Sequence, residues 1–148
     1  MTAGISQGGG LALAAAHLAG GISGTLTDVP FLAHFRRAVA VTDSRPYGEL
    51  IEYCRVNSDR VEEVFATLAY LDVVNHAKRI EAPGLFSVGL LDPITPPSTV
   101  FTAYNHYAGP KDIAVYPFNG HEGGGTRHLV AKLAFLADRC STAEDAAQ

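Results

Sequence analysis

The run Gly4-Ile5-Ser6-Gln7-Gly8 constrains this chain more than any other feature. Gly9 and Gly10 follow it, and then an apolar helical pattern. A Gly-x-Ser-x-Gly sequence that opens a helix is the pattern of a nucleophile elbow, in which a strand turns sharply on a serine and enters a helix. A side chain at Gly4 or Gly8 is expected to collide in that turn, and Ser6 is expected in a strained backbone conformation. The helix N-terminus behind Ser6 offers free N–H groups and partial positive charge to a developing oxyanion. The bland alternative is a Gly-rich loop before a helix, since the bare motif is common by chance. An elbow also needs a strand ahead of it, and residues 1–3 are too few to form one.

The rest of the chain alternates. Residues 7–19 read as a helix, apolar nearly all round, which suits deep packing against a sheet. Residues 22–29 are a weak strand, and residues 30–41 a mixed segment with room for a short helix. Residues 42–46 read as a loop. Residues 47–56 are helical. Asp59-x-x-Glu62 resembles a capping box ahead of a further helix, and residues 70–79 hold another turn or two. Residues 46–79 are therefore a largely helical excursion between strands, of the kind used as a lid or an oligomer contact. Residues 82–88 are a buried strand, 98–107 a helix opened by Pro96-Pro97, and 112–118 a second buried strand. A polar loop spans 119–125, an amphipathic helix 126–139, and a fraying polar tail 141–148. Such alternation implies an α/β protein with a parallel sheet and right-handed crossovers, in one domain over residues 1–148. Loops at the C-terminal ends of parallel strands share one edge, where active sites sit. Ser6, Asp92 and His121 each follow a strand.

A serine hydroxyl is a poor nucleophile until a base takes its proton, and imidazole titrates in the right range. The imidazole needs an acceptor at its other nitrogen. In the α/β-hydrolase fold the chain order is serine, acid, histidine, which selects Ser6, Asp92 and His121. Gly120 and the glycines after residue 122 let the His121 loop turn its ring toward the serine. The other histidines sit less well: His17 on the elbow helix, His34, His76 and His106 on helical stretches, and His128 on the last helix. Asp28, after the preceding strand, competes with Asp92 as the acid. The plain alternatives are a turn at Asp92-Pro93 and a polar loop at His121.

Charge and spacing remove other classes. A net charge of −4 provides no basic stripe for nucleic acid. His106, His121 and His128 lack the spacing of a metal site, and no lysine follows the glycines as a phosphate loop requires. No apolar run reaches the length of a membrane span, and no signal peptide is visible. Cys54 and Cys140 read as free thiols of a reducing compartment, so a cytoplasmic location is expected.

Five segments carry a resemblance: Gly-Ile-Ser-Gln-Gly-Gly-Gly (4–10), Asp-Val-Pro-Phe-Leu-x-x-Phe-Arg-Arg (28–37), Tyr-Leu-Asp-Val-Val-Asn (70–75), Ser-Val-Gly-Leu-Leu-Asp-Pro-Ile-Thr-Pro-Pro-Ser-Thr-Val-Phe (87–101) and Tyr-Pro-Phe-Asn-Gly-His-Glu-Gly-Gly (116–124). With these the chain resembles the acetyl xylan esterase and cephalosporin-C deacetylase family, carbohydrate esterase family 7. The resemblance implies Ser6 as nucleophile, Asp92 as acid, His121 as base and the Gln7 backbone N–H as an oxyanion donor. It makes Asp28 structural. It implies cofactor-free, intracellular removal of acetyl groups from short acetylated sugars or cephalosporins, by homo-oligomers that are usually hexamers. It covers the C-terminal half of such an enzyme. The elbow strand, the strands before it and a second oxyanion donor, a tyrosine backbone N–H, are expected to be missing. The chain is then a partial α/β-hydrolase with roughly three strands. The rival reading is an inactive remnant that works by pairing with a partner.

Overall fold

A computed structural model describes residues 1–145. Four parallel strands form one sheet in the order β1-β2-β3-β4. They are β1 (Thr2–Ile5), β2 (Thr25–Asp28), β3 (Gly84–Gly89) and β4 (Lys111–Tyr116). The connections are α1 (Gln7–Ala19), then α2 (Phe35–Val41), α3 (Tyr47–Val56), α4 (Val61–Leu68) and α5 (Val73–Ala77), then α6 (Pro97–His106). α7 (Gly125–Asp145) closes the fold. Among the described residues no helix is long and apolar enough to cross a membrane.

The first expectation corrected is the missing strand. Four residues suffice for β1, because β2 offers it a complete parallel partner from Thr2↔Thr25 to Ile5↔Asp28. Two loop contacts extend the ladder past both ends. Thr2 N–H donates to Gly24 O at 3.0 Å and Ser6 N–H donates to Asp28 O at 2.9 Å. The sheet thus has four strands, and the elbow has its own.

The core forms where α1, α5 and α6 cover one face. Leu13 and Ala16, Val73, Val74 and Ala77, and Ala103 and Tyr107 close around Phe86 of β3. Neighbouring residues of a strand point to opposite faces. Ser87 therefore faces the other way, toward the Gly123 turn that leads into α7. A second, smaller cluster of Phe35, Ala38 and Tyr47 ties the helical excursion together. Asp72 links it to the main core. Its carboxylate caps α5 by accepting from Val74 N–H, and it also accepts from His34 and Phe35 N–H at the start of α2.

Several local expectations fail for identifiable reasons. Asp59 does not cap a helix. It lies in a 3₁₀ turn, Ser58–Arg60, which runs straight into α4 and leaves Arg60 at the cap position without a side-chain bond. Residues 69–71 are turn, Asp72 is an extended cap, and only Val73–Ala77 is helical. β4 is not buried. As the last strand it has one neighbour, and Phe118 beyond it is 90% exposed. α1 is apolar all round but buries only one face, with Leu18 72% exposed. The tail expected to fray from residue 141 is helical through Asp145, and its remaining residues, 146–148, lie outside the described residues.

Candidate active site

Ser6 sits between the last residue of β1 and the first of α1, with φ 56° and ψ −120°. A non-glycine residue at that φ stores strain, and such strain persists only where surrounding bonds enforce it. Here they do. Ser6 N–H is held by Asp28 O, while Ser6 O accepts from Gly10 N–H at 3.1 Å and Phe31 N–H at 2.9 Å. Both backbone polar groups are committed, so the hydroxyl is presented from a fixed point.

Gly4 behaves as the motif predicts: a Cβ there would lie 2.0 Å from Gly8 O. Gly8 does not, because a Cβ on it meets nothing within 4 Å. The helix approaches the turn through its backbone at Gly8, not through the Gly8 α-hydrogens, so the tight side is Gly4. Gly4→Ala is therefore expected to destabilise the chain by about 3 kcal/mol, as overpacking against rigid backbone does. Gly8→Ala should leave the melting temperature unchanged or raise it, since alanine is favoured in a helix by up to about 1 kcal/mol. Thermal melts of the two variants check this, and equal losses would refute the assignment.

The candidate acid, Asp92, lies in the turn after β3. The Asp92 side chain is fully buried, which requires every carboxylate oxygen to be partnered. Oδ1 accepts from Ile94 N–H at 2.8 Å and Thr95 N–H at 3.0 Å. Oδ2 accepts from the Thr95 hydroxyl at 2.6 Å. From α2's end the Thr42 hydroxyl donates to Pro93 O at 2.6 Å and fixes the same turn.

His121 stands on the loop between β4 and α7. Its Nδ1 lies 2.9 Å from Asp92 Oδ2 and its Nε2 lies 2.9 Å from Ser6 Oγ. A carboxylate only accepts, so Nδ1 carries the proton and Nε2 is left to accept the Ser6 hydroxyl. Glu122 secures the loop on the preceding side, accepting from Asn119 Nδ2 at 2.7 Å and Gly120 N–H at 3.1 Å. The Asn119 amide holds this exposed carboxylate below its usual range, with the loop N–H groups and the neighbouring imidazole adding to it. On the following side Gly124 has φ 88°, and a Cβ there would fall 2.3 Å from the Tyr116 ring. The three side chains chosen from the sequence therefore meet, from three connections that emerge at one rim of the sheet. Gln7 opens α1, and its N–H belongs to the first helical turn, whose N–H groups have no intrahelical acceptor.

Asp28 takes no part in that run. It is buried, and Oδ1 accepts from His128 Nε2 at 3.0 Å while Oδ2 takes the Lys132 ammonium. His128 Nδ1 is then free to accept the Tyr116 hydroxyl, 3.1 Å away. Burial alone would push Asp28 up, but the hydrogen bonds and charges of His128 and Lys132 more than offset it and hold it below the ordinary carboxylate range. This second carboxylate–imidazole pair bolts α7 to β2 and β4. Nothing in the sequence announces it, because its members lie 100 residues apart. The remaining histidines stay away from Ser6. His17 and His76 meet each other, Nδ1 to Nδ1 at 3.0 Å, and burial, then the charges of His76 and Arg79, lower His17. His34 lies just ahead of α2, and its Nδ1 is 3.4 Å from the Thr102 hydroxyl.

A solved acetyl xylan esterase from Paenibacillus sp. R4 is 45% identical and superposes with a TM-score of 0.87 over 92% of this chain and 44% of its own. Acetyl xylan esterase 1 from Thermoanaerobacterium sp. JW/SL YS485 is 43% identical, with a TM-score of 0.80 over 88% and 43%. The acetyl esterase Axe7A of Xylanibacter ruminicola is 32% identical over 116 residues, 78% of this chain and 26% of that protein. The chain thus spans less than half the length of these relatives. An acylaminoacyl peptidase from Pyrococcus horikoshii, 17% identical with a TM-score of 0.62, shares the fold alone. With these likenesses the sheet and helices form part of an α/β-hydrolase fold. The sequence model of the acetyl xylan esterases matches residues 1–139, nearly the whole chain, and this protein belongs to the acetyl xylan esterase family.

Proposed function

We propose that this chain carries the acyl-transfer centre of a serine esterase that removes acetyl groups from small acetylated carbohydrates, xylo-oligosaccharides foremost. The observation that supports this reading is the continuous hydrogen-bonded run from Ser6 Oγ through His121 to Asp92, at 2.9 Å on each side of the ring. In the reaction Ser6 Oγ attacks the acetyl carbonyl carbon while His121 Nε2 takes the hydroxyl proton. The carbonyl oxygen becomes an oxyanion, and the Gln7 N–H at the helix N-terminus donates to it. As the intermediate collapses, His121 returns the proton to the departing sugar oxygen, leaving an acetyl group on Ser6. Water then attacks that ester, giving its proton to His121. Acetate leaves, and the proton returns to Ser6 Oγ. Asp92 holds the ring's tautomer and stabilises the imidazolium formed in each half-reaction. The acetyl ester of a cephalosporin asks for the same steps and is included in the proposed substrate class.

A second reading is favoured by one observation. β1 is an edge strand, and Ile5 on it and Leu11 and Leu18 on α1 are exposed. An open parallel edge with apolar neighbours is an unusual surface, and on this reading the chain works through a partner polypeptide and not as a catalyst. Labelling separates the two. A fluorophosphonate probe, which bonds covalently to activated serines, should modify Ser6 and no other serine of the 148-residue chain. Peptide mass spectrometry reads the adduct, and His121→Ala should abolish it. A chain that folds yet leaves Ser6 unmodified would favour the partner reading.

A further inference from the structure

Asp92 reaches His121 through Oδ2, and a second side chain claims the same oxygen. Thr95 is fully buried, and its hydroxyl donates to Asp92 Oδ2 at 2.6 Å. The hydroxyl oxygen also lies 3.4 Å from His121 Nδ1. Its backbone N–H donates to the other oxygen, Oδ1, at 3.0 Å. One residue therefore grips both ends of the carboxylate. Its own freedom is small. Pro96 and Pro97 follow directly, with φ fixed by their rings, and α6 starts at Pro97.

This arrangement has a chemical consequence. Two N–H donors on Oδ1 leave the carboxylate free to rock about that oxygen, which would sweep Oδ2 past the imidazole. The Thr95 hydroxyl removes that motion. It also places a lone pair beside Nδ1–H, a secondary acceptor when the ring tilts to pass its proton between Ser6 and the leaving group. A buried hydroxyl without a partner is costly, so its cost at this site is offset only by this bond. We propose that Thr95 is a positioning residue of the proton relay, fixing through its hydroxyl the carboxylate oxygen that faces His121. The inference rests on the reading of Ser6, His121 and Asp92 as the acyl-transfer centre.

The hydroxyl and the methyl of Thr95 can be tested apart. Thr95→Val keeps the shape and removes the hydroxyl, whereas Thr95→Ser keeps the hydroxyl and removes the methyl. Two readouts apply to the 148-residue chain: p-nitrophenyl acetate turnover, and the downfield proton resonance of His121 Nδ1–H, assigned by its loss in His121→Ala. In Thr95→Val, kcat should fall between about 10- and 100-fold at little changed KM, the size expected when a reacting group is misplaced. The Nδ1–H resonance should broaden through faster exchange with water. Thr95→Ser should restore both. The opposite pattern, loss in the serine variant and retention in the valine variant, would make Thr95 a packing residue and overturn the proposal. So would a sharp, unmoved resonance with full turnover in Thr95→Val, or the absence of the resonance from the parent chain. If Thr95→Val does not fold, the serine variant decides alone. If the parent chain turns over no ester, the esterase reading fails separately, and the resonance still judges Thr95.

Discussion

Asp92→Asn is expected to lower ester turnover by about 10⁴ while leaving the fold intact, the scale seen when a relay histidine is held in the wrong tautomer. The two oxygens of Asp92 have different partners. An asparagine carbonyl in place of Oδ1 can still accept from the Ile94 and Thr95 N–H groups, so the turn after β3 is kept. The amide nitrogen then replaces Oδ2, the atom that faces His121 Nδ1. An NH₂ group only donates, so Nδ1 must become the acceptor and the ring proton moves to Nε2. Nε2 then points a hydrogen at Ser6 Oγ and cannot take one from it. Steady-state turnover of p-nitrophenyl acetate, beside circular dichroism of the same sample, measures the effect. A folded variant with turnover within tenfold of the parent would refute the role of Asp92.

The second large effect concerns stability. His128→Leu should destabilise the chain by about 3 kcal/mol, because it leaves a buried carboxylate and a buried hydroxyl each short of a hydrogen bond. The variant strands two groups at once. Asp28 keeps only the Lys132 ammonium, and the buried Tyr116 hydroxyl loses its acceptor. The chain is small, so that loss is a large share of its total stability. The pH dependence has a definite sign. The folded-state pKa of Asp28 is depressed despite burial, by hydrogen bonds and charge from His128 and Lys132. Its contribution is thus complete above the ordinary carboxylate range, about pH 4, and is lost as pH falls through the depressed value. The stability gap between the parent and His128→Leu should be constant near neutrality and narrow below about pH 4. Denaturant titrations across that range measure it. A gap that widens on acidification would contradict the assignment.

What the sequence disclosed, and what it withheld, follows from how far each signal reaches. Ser6, Asp92 and His121 were legible because each belongs to a local pattern, and a parallel sheet delivers post-strand residues to one edge without further information. Thr95, three residues from Asp92, was hidden because a threonine between prolines reads as turn chemistry until its hydroxyl is seen on the carboxylate. The Asp28–His128–Tyr116 set was hidden for a different reason. Asp28 reads as a rival acid by position and as structural by resemblance, and only the packing of α7 against β2 shows that its partner is another histidine. Length alone argues against β1, although the strength of a short strand depends on the completeness of its neighbour's ladder. β4 and Phe118 looked buried because an apolar run carries no mark of standing at an edge. The capping signature at Asp59 failed where a 3₁₀ turn took over the start of α4, while Asp72 performed the capping its own spacing did not advertise.

All four strands run the same way, and that makes the two ends of the sheet unequal. The end at Thr2, Thr25, Gly84 and Lys111 holds none of the reacting groups. Substitutions there are felt as robustness alone, in how firmly the layer stays assembled. At the opposite end a shift of similar size is felt at once as chemistry, because hydroxyl, ring and carboxylate are hung from separate segments. The architecture gives an engineer two independent handles: one end for endurance, the other for the geometry in which the three side chains meet.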